Sequence, residues 1–592
     1  MSDRTSIIGL MEPTRVIWRV ADVDESRVAR LANDSGLPPT VARLLLERGV
    51  NSGDEARAFL RPDVGALHDP FALKGSEESA DILVRSARRA GRVVVFGDYD
   101  VDGVTAVAQL KAALLRAGAD AVSFLPHRLR DGYGLKPETV RRVLADLRPA
   151  VIITVDCGIS AVEGVACARA AGVEVIVTDH HLVPEELPAG AVVVNPKQPG
   201  CGYPEKNLAA CGIALKMAQA VTRRAGVSLS QDSLLRAACL GTIADLVPLT
   251  GENRTIAAAG LACLAQARAP GLRALLAESG VALGCAPTSE EIAFRVAPRL
   301  NAAGRLDTAE LALSLFEERD PARAKRVARE LTMRNAERQS LERRLARQVR
   351  ETIDQTFDPE RDAIIVAWGE GWHRGVLGIA ASRLAREYHR PVLLFALEGE
   401  RAAGSGRSIP GVALHDTLKE IGNLFSEFGG HDQAIGASLP AARMPDLARA
   451  ARDLFAERIP RERFQLVEEA DAELDVERVD EELYRHLAPF EPHGVGNPRP
   501  VFAAEMSPAH PFRELGETGR RGRLQRSDGT IDAVCWRPEL GPRLSAGQRF
   551  FAHYRISRNR SGRIEAEIVG ARDPFFTTSA EPAAIAQTQA AK

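Results

Sequence analysis

The chain predicts an α/β architecture in several domains, and three observations carry that expectation. Short apolar runs at 93–96, 151–155 and 175–177 alternate with longer segments of helical period, the pattern of a parallel sheet covered by helices on both faces. Each run leads into an acid, Asp98, Asp156 or Asp179, at the carboxyl end of a strand, where open α/β sheets place their ligands. The length, 592 residues, exceeds the roughly 250–300 residues that one hydrophobic core sustains.

Composition narrows the class. With 45% apolar and 26% charged residues, the chain can build sizeable cores. Its net charge of −2 gives no global basic field, so a nucleic-acid partner has to be held by local basic patches. Met1 to Arg15 has no signal-peptide core, and no apolar run is long enough for a bilayer. A cytoplasmic protein with no membrane partner is expected. The cysteines at 157, 167, 201, 211, 239, 263, 285 and 535 form no paired CxxC set, which argues against structural zinc and for reduced thiols.

Taken in order, residues 1–75 read as a helical appendage packed beside the core. Pro38-Pro39-Thr40 opens one helix, Gly49-Val50-Asn51 breaks it, and 54–60 form another. The α/β pattern fills 76–321. Helix 79–90 precedes strand 92–96, and helix 104–117 closes at Gly118. Strand 121–125 runs into a basic loop at 126–134. Helix 137–147, strand 151–155, helix 160–171 and strands 173–178 and 191–194 follow, then helices at 208–225 and 232–247. Residues 253–320 read as helices with a basic loop at 299–305. Residues 322–357 are one long helical pattern, Arg- and Glu-rich, without Gly or Pro over 322–356. It reads as an exposed charged helix joining two domains, and the sparseness of Val327, Leu331, Leu341 and Leu345 argues against the alternative of a coiled coil. A second α/β unit is expected over 358–462, with Ile364-Ile365-Val366, Val392-Leu393-Leu394-Phe395 and a glycine-containing loop, Gly404 to Ser408. Region 463–575 reads as an OB-fold-like β-barrel with strands near 500–505, 531–536, 548–555 and 563–569. Its aromatics are Phe502, Phe512, Trp536, Phe550, Phe551 and Tyr554, most of them expected to fill the core. Arg520 to Arg526 forms its best basic loop. The tail 576–592 has no periodicity and reads as disordered.

The chemistry centres on Gly97-Asp98-Tyr99-Asp100-Val101-Asp102-Gly103. In extended backbone, acids at every second position face one side. Such crowding raises carboxylate pKa values unless a cation neutralises it, and hard oxygen ligands suit Mg²⁺ or Mn²⁺. Asp156-Cys157-Gly158, Asp179-His180-His181 and Asp245 repeat the arrangement. Together they offer enough carboxylates and an imidazole for two divalent ions about 4 Å apart, the arrangement for phosphoester hydrolysis.

These stretches, with Gly241-Thr242-Ile243-Ala244-Asp245, resemble the successive motifs of the DHH phosphoesterase superfamily. Gly429-Gly430-His431-Asp432-Gln433-Ala434-Ile435-Gly436 is similar to the glycine-rich signature of the DHH-associated domain. The added barrel and the Arg299-to-Arg305 motif match the members that degrade single-stranded DNA from its 5′ end. The resemblance implies a parallel-sheet DHH domain, a connecting helix, a second α/β DHH-associated domain and a C-terminal barrel. It implies metal ligands at Asp98, Asp100, Asp102, Asp156, His180 and Asp245, with Asp156 bridging two Mn²⁺ or Mg²⁺ ions. It implies that His181 meets the scissile phosphate as a proton donor and that Asp179 orients the neighbouring imidazole.

The Gly404–Ser408 stretch also has a physical reading. Glycines admit an anion to backbone N–H groups, and Arg407 can hold phosphate bidentately. With the resemblance, Ser405, Arg407, Ser408 and Arg128 form the pocket for a 5′-terminal phosphate. Arg299 and Arg305 track the strand's backbone, and Asn301 and His431 complete the substrate-binding set.

The expected activity is therefore metal-dependent 5′→3′ hydrolysis of single-stranded DNA in repair and recombination, by a monomer working with a helicase and a single-strand-binding protein. Two alternatives are a phosphodiesterase for short oligonucleotides or cyclic dinucleotides, and a non-catalytic replication scaffold. Products from a long strand against a dinucleotide separate the first; retention of every acid and His named above speaks against the second.

Overall fold

The computed structural model describes residues 16–572, except 129, 133, 517 and 560. The expectations for Met1–Arg15 and for the 576–592 tail lie outside the described residues. The chain divides into two units.

The first unit holds Pro62–Leu466 and Glu491–Pro498. Its first sheet has five parallel strands in the spatial order Asp120–Phe124, Arg92–Gly97, Val151–Val155, Glu174–Thr178, Ala191–Val194. Alternation explains the unbroken apolar runs. Val93 and Val95 enter one core with Ile153 and Ile176, while Val94 and Phe96 enter a second core with Ile152, Val175 and Val177. The chain reverses direction across the sheet between Arg92–Gly97 and Val151–Val155, the topological switch point. There Gly97 pairs with Val155, so Asp98 and Asp156 leave adjacent strands side by side.

The second sheet is mixed, in the order Glu427–His431, Ala434–Pro440, Arg401–Arg407, Val392–Glu398, Ile365–Glu370. Only Ile365–Glu370 and Val392–Glu398 run parallel, joined by the crossover helix Arg374–Tyr388. The expected Gly404–Ser408 loop is thus mostly strand, Arg401–Arg407. The glycines have a packing reason. Gly404 lies opposite Phe395, and a Cβ there would stand 2.3 Å from the Phe395 ring. The expected loop at 299–305 is also regular, inside helix Ala297–Leu306, which buries Ala302 and Ala303.

The helix Pro321–Thr356 runs for 36 residues from an Asp320 cap, whose side chain accepts the Arg323 amide at 2.7 Å. It is not an exposed connector. Its start packs Ala328 and Leu331 into the first core, and its end packs Leu345, Val349 and Ile353 into the core of the second sheet. Counting only large apolar residues missed the alanines Ala324, Ala328 and Ala346, all fully buried.

The second unit holds Val16–Arg61, Val467–Phe490 and the residues from Arg499 on. Its seven-stranded sheet takes the order Ala472–Glu473, Phe502–Met506, Phe550–Arg558, Ile564–Arg572, Gly529–Cys535, Gly519–Arg526, Arg513–Leu515. The basic stretch expected as a loop is the strand Gly519–Arg526, with Leu524 buried while Arg521 and Arg523 are exposed. Phe502, Phe512, Phe550 and Tyr554 fill the core, and Trp536 is exposed. The N-terminal segment also departs from expectation. Ile17–Val20 pairs in parallel with Val467–Ala470, and helices Glu25–Ser35 and Pro39–Glu47 share the core of this sheet. Trp18 packs on His553 at 4.0 Å between ring centroids. No described helix is long and apolar enough to cross a membrane.

Candidate active site

Three strand ends and one helix end build the site. Asp98 and Asp100 follow Arg92–Gly97, Asp156 follows Val151–Val155, and the Asp179–His181 run follows Glu174–Thr178. Asp245 caps the carboxyl end of helix Gln231–Ala244. Their ligand atoms fall into three overlapping triads: Asp98/Asp100/Asp156, Asp102/His180/Asp245 and Asp156/His180/His181, each with all its atoms within 4.8 Å of one another. Asp156 and His180 each belong to two triads. The backbone of Asp156 is left-handed, φ 64°, a conformation that costs most residues roughly 1–2 kcal/mol and that collects at functional sites.

Burial makes this cluster short of positive charge. It pushes Asp98 and Asp156 well above the usual carboxylate range, helped by Asp100 at the first and Asp102 at the second. Burial, with Asp102 and Asp100, pushes Asp245 up to about 9. Asp102 reaches about 6 from burial and Asp100, although its two oxygens accept the Ala210 and Cys211 amides at 2.8 Å each. Each of those oxygens keeps a lone pair for a second partner. Burial, then His181, lowers His180 to about 3, so the imidazole is neutral, as a ligand must be.

Two buried atoms, Asp98 Oδ1 and His180 Nε2, have no hydrogen-bond partner among the described residues. Yet His180 Nε2 stands 3.2 Å from Asp156 Oδ1 and 3.7 Å from Asp245 Oδ2. Acceptors converging on one point without hydrogen bonds fit divalent cations held between them.

Asp179 faces away from this convergence. Its Oδ1 accepts the His180 and His181 amides at 2.8 and 3.1 Å, and its Oδ2 accepts the Ile159 amide at 2.9 Å. It therefore orients His181, not His180. Burial alone would lower His181, but the Asp179 contact raises it.

Arg128 lies over the Tyr99 ring, 4.9 Å from its centroid. Its loop is pinned by Asp131, which takes a two-pronged contact from Arg142, 2.9 Å at each oxygen, and the His127 amide at 2.8 Å. Arg407 donates to Ser405 Oγ at 2.9 Å, and Arg305 lines the same cavity as Arg407. Helix Arg374–Tyr388 begins against that point: a Cβ on Gly375 would stand 2.2 Å from the Arg305 carbonyl. Burial, then Arg407 and His181, lowers the pKa of His431 on the glycine-rich hairpin.

Three expected substrate residues are otherwise engaged. Arg299 donates to Thr332 Oγ1 at 3.1 Å, away from the Arg305–Arg407 cavity. Asn301 Oδ1 accepts the Val101 amide at 3.1 Å and so ties the acidic loop. Ser408 Oγ donates to the Val412 carbonyl at 2.7 Å. Sequence reasoning passed over Asn195 and Lys197, which donate to the His181 and His180 carbonyls at 3.0 and 2.6 Å. They follow the strand Ala191–Val194, and the strand-end rule applied there would have found them.

Comparison with known proteins agrees with this geometry. Residues 92–242 match the DHH family, N-terminal domain, 361–457 the DHHA1 domain, and 470–566 the RecJ OB domain. The chain is 36% identical over 544 residues to the single-stranded-DNA-specific exonuclease RecJ of Bacillus subtilis (strain 168), covering 91% of this chain and 68% of that one. The crystal structure of Thermus thermophilus RecJ in complex with Mn²⁺ superposes with a TM-score of 0.81 at 32% identity, covering 95% of this chain and 80% of that one. The Mg²⁺ complex of the same organism's RecJ gives 0.75 at 30% identity, covering 95% and 79%. The acid cluster, the glycine-rich hairpin and the C-terminal sheet thus coincide with three domain matches in one chain, which belongs to the RecJ family of single-stranded-DNA-specific exonucleases.

Proposed function

We propose that this chain is a metal-dependent 5′→3′ exonuclease that removes nucleotides from single-stranded DNA in repair and recombination. The observation that carries the reading is the convergence of Asp98 Oδ1 and His180 Nε2, both buried and unbonded among the described residues, on neighbouring carboxylates. Asp98, Asp100, Asp102, Asp156, His180 and Asp245 would hold Mn²⁺ or Mg²⁺, and Asp156, which belongs to two of the triads, would serve both. Bound there, the ions would activate water and stabilise the charge that develops on phosphorus.

The chain's own residues do the rest. Asp179 fixes the His181 ring, and His181 gives a proton at the scissile phosphate. Asn301 holds the Asp100–Asp102 loop, and Asn195 and Lys197 hold the carbonyls of the two histidines. Arg407, Ser405, Arg128 and Arg305 receive the 5′-terminal phosphate, His431 approaches it from the hairpin, and Arg299 and Ser408 support the path. A pocket for a 5′ phosphate serves the next cycle only if each cut leaves one. The bond broken is therefore P–O3′, and the product is a nucleoside 5′-monophosphate.

The division into an N-terminal helical part, DHH domain, connecting helix, DHH-associated domain and OB-fold-like domain belongs to this proposal. So do a cytoplasmic location, action as a monomer, and a helicase and a single-strand-binding protein as partners. The test is digestion of end-labelled single- and double-stranded DNA by the full chain with Mn²⁺ or Mg²⁺. Release of 5′-mononucleotides from single strands alone is the expected result. Digestion of a blunt duplex at the same rate, or activity indifferent to a chelator, would overturn it.

A further inference from the structure

Helix Arg374–Tyr388 and the long helix Pro321–Thr356 contribute side chains to a solvent-open cleft of about 410 Å³, lined among others by Arg305, Arg383, Arg386, Arg407, Glu342 and Ser382. A water takes about 30 Å³, so the space holds roughly a dozen such groups, far more than the oxygens of one phosphate. Gly378 opens it: a Cβ there would stand 2.7 Å from Arg407 Nη2 and 3.1 Å from Ser405 Oγ.

The charges do not balance. Four guanidiniums face one carboxylate, and Glu342 is already approached by Arg383 at 3.4 Å and Arg338 at 3.6 Å. No carboxylate of the described residues comes within ion-pair distance of Arg305, and burial together with Arg128, Arg338 and Arg407 pushes its pKa down to about 9. Arg305 and Arg407, partly buried and unmatched, cost free energy unless an anion joins them, while Arg383 and Arg386 are exposed at the rim. One phosphate dianion at Arg407 leaves Arg386, two turns along the helix from Gly378, with no carboxylate in ion-pair distance among the described residues, and leaves Arg383 to share Glu342 with Arg338.

We propose that this cleft receives the second and third phosphates of a 5′-triphosphate end, so that the substrate class includes 5′-polyphosphorylated single strands. The inference rests on the reading that Arg407 and Ser405 hold the 5′-terminal phosphate. The reaction keeps its balance. Water oxygen bonds to the phosphorus between the first and second nucleotides, the P–O3′ bond breaks, and O3′ takes a proton. The first nucleotide leaves as a nucleoside 5′-triphosphate, and the shortened strand carries a 5′-monophosphate.

The test compares kcat/KM of the full chain with Mn²⁺ on one short strand bearing a 5′-hydroxyl, a 5′-monophosphate or a 5′-triphosphate, for wild type, Arg386→Ala and Arg383→Ala/Arg386→Ala. The first product is identified by chromatography. Wild type is expected to cut the triphosphate end about as well as the monophosphate end and to release a nucleoside triphosphate. Each variant is expected to lose more on the triphosphate end than on the monophosphate end, roughly tenfold per lost charge-assisted contact. Rejection of the triphosphate end by wild type, or an equal loss on all three ends, would overturn the proposal. If wild type prefers a 5′-monophosphate to a 5′-hydroxyl yet rejects the triphosphate, only this extension fails. If it shows no such preference, the 5′-phosphate reading of Arg407 fails with it.

Discussion

The ring of His181 donates from Nδ1 to Oδ1 of Asp179 at 2.7 Å, onto the oxygen that also accepts the His181 backbone amide. The hydrogen bond from His181 holds Asp179 below its usual range in spite of burial, so the carboxylate is ionised and can only accept. The proton therefore sits on Nδ1, which fixes the ring at two points of one residue.

Asp179→Asn keeps the shape and removes that charge. Turnover is expected to fall roughly 10–100-fold, with Mn²⁺ affinity nearly unchanged. Steady-state kinetics beside a metal titration decide this. A loss of Mn²⁺ affinity as large as the loss of turnover would show that Asp179 supports the ligands and not the His181 ring.

Asp156 is shared by two triads and sits at φ 64°. Asp156→Asn retains a residue that tolerates left-handed backbone and deletes one buried carboxylate. Hydrolysis is expected to vanish, while the melting temperature of the metal-free protein rises because repulsion is relieved. Turnover near that of wild type in saturating Mn²⁺ would remove Asp156 from its shared position.

Arg407→Ala is expected to weaken the handling of 5′-phosphorylated strands far more than of 5′-hydroxyl strands, by about 1.5–3 kcal/mol for one charge-assisted contact. Arg407→Lys should recover only part of this, since an ammonium cannot make the planar two-bond contact. The readout is kcat/KM on the two ends. An equal loss on both would reduce Arg407 to a general charge.

A fourth prediction concerns the second unit. Burial, together with Asp471, raises Glu47 to about 9. A carboxyl whose folded pKa lies above its unfolded value contributes stability fully below the unfolded value of 4.5 and loses it as pH rises towards about 9. Glu47→Gln supplies the uncharged form at every pH. Its melting temperature should match wild type at acidic pH and exceed it at alkaline pH, by roughly 2–4 °C per kcal/mol. A constant offset across the range would show that Glu47 is ionised in the folded protein.

The parts legible in the sequence are those where one local rule governs. Strands buried on both faces show as unbroken Val and Ile, and an acid after each run marks the switch point, so Asp98, Asp156 and Asp179 stand out. Residues whose role depends on a distant partner do not. Gly404 looks like a loop glycine until Phe395 is seen lying over it. Arg305 looks like a backbone-tracking cation, and only the approach of helix Arg374–Tyr388 turns it towards Arg407. The pairing of Ile17–Val20 with Val467–Ala470 joins residues about 450 positions apart, which no window of local pattern can contain.

The helix Pro321–Thr356 has a further consequence. It is an axle about 54 Å long with one core keyed to each end. Each residue advances a helix by 1.5 Å and turns it by about 100°. A single insertion between Leu331 and Leu345 would swing the second sheet a quarter-turn and more about the first, carrying Arg407 away from Arg305. An insertion of seven, close to two full turns, restores the phase but moves the second core about 10.5 Å along the axis, which also parts Arg407 from Arg305. The residue count between Leu331 and Leu345 thus stores both the angle and the distance between Arg407 and the acid cluster, so neither one residue nor two turns can be added without opening the space that Arg305 and Arg407 share.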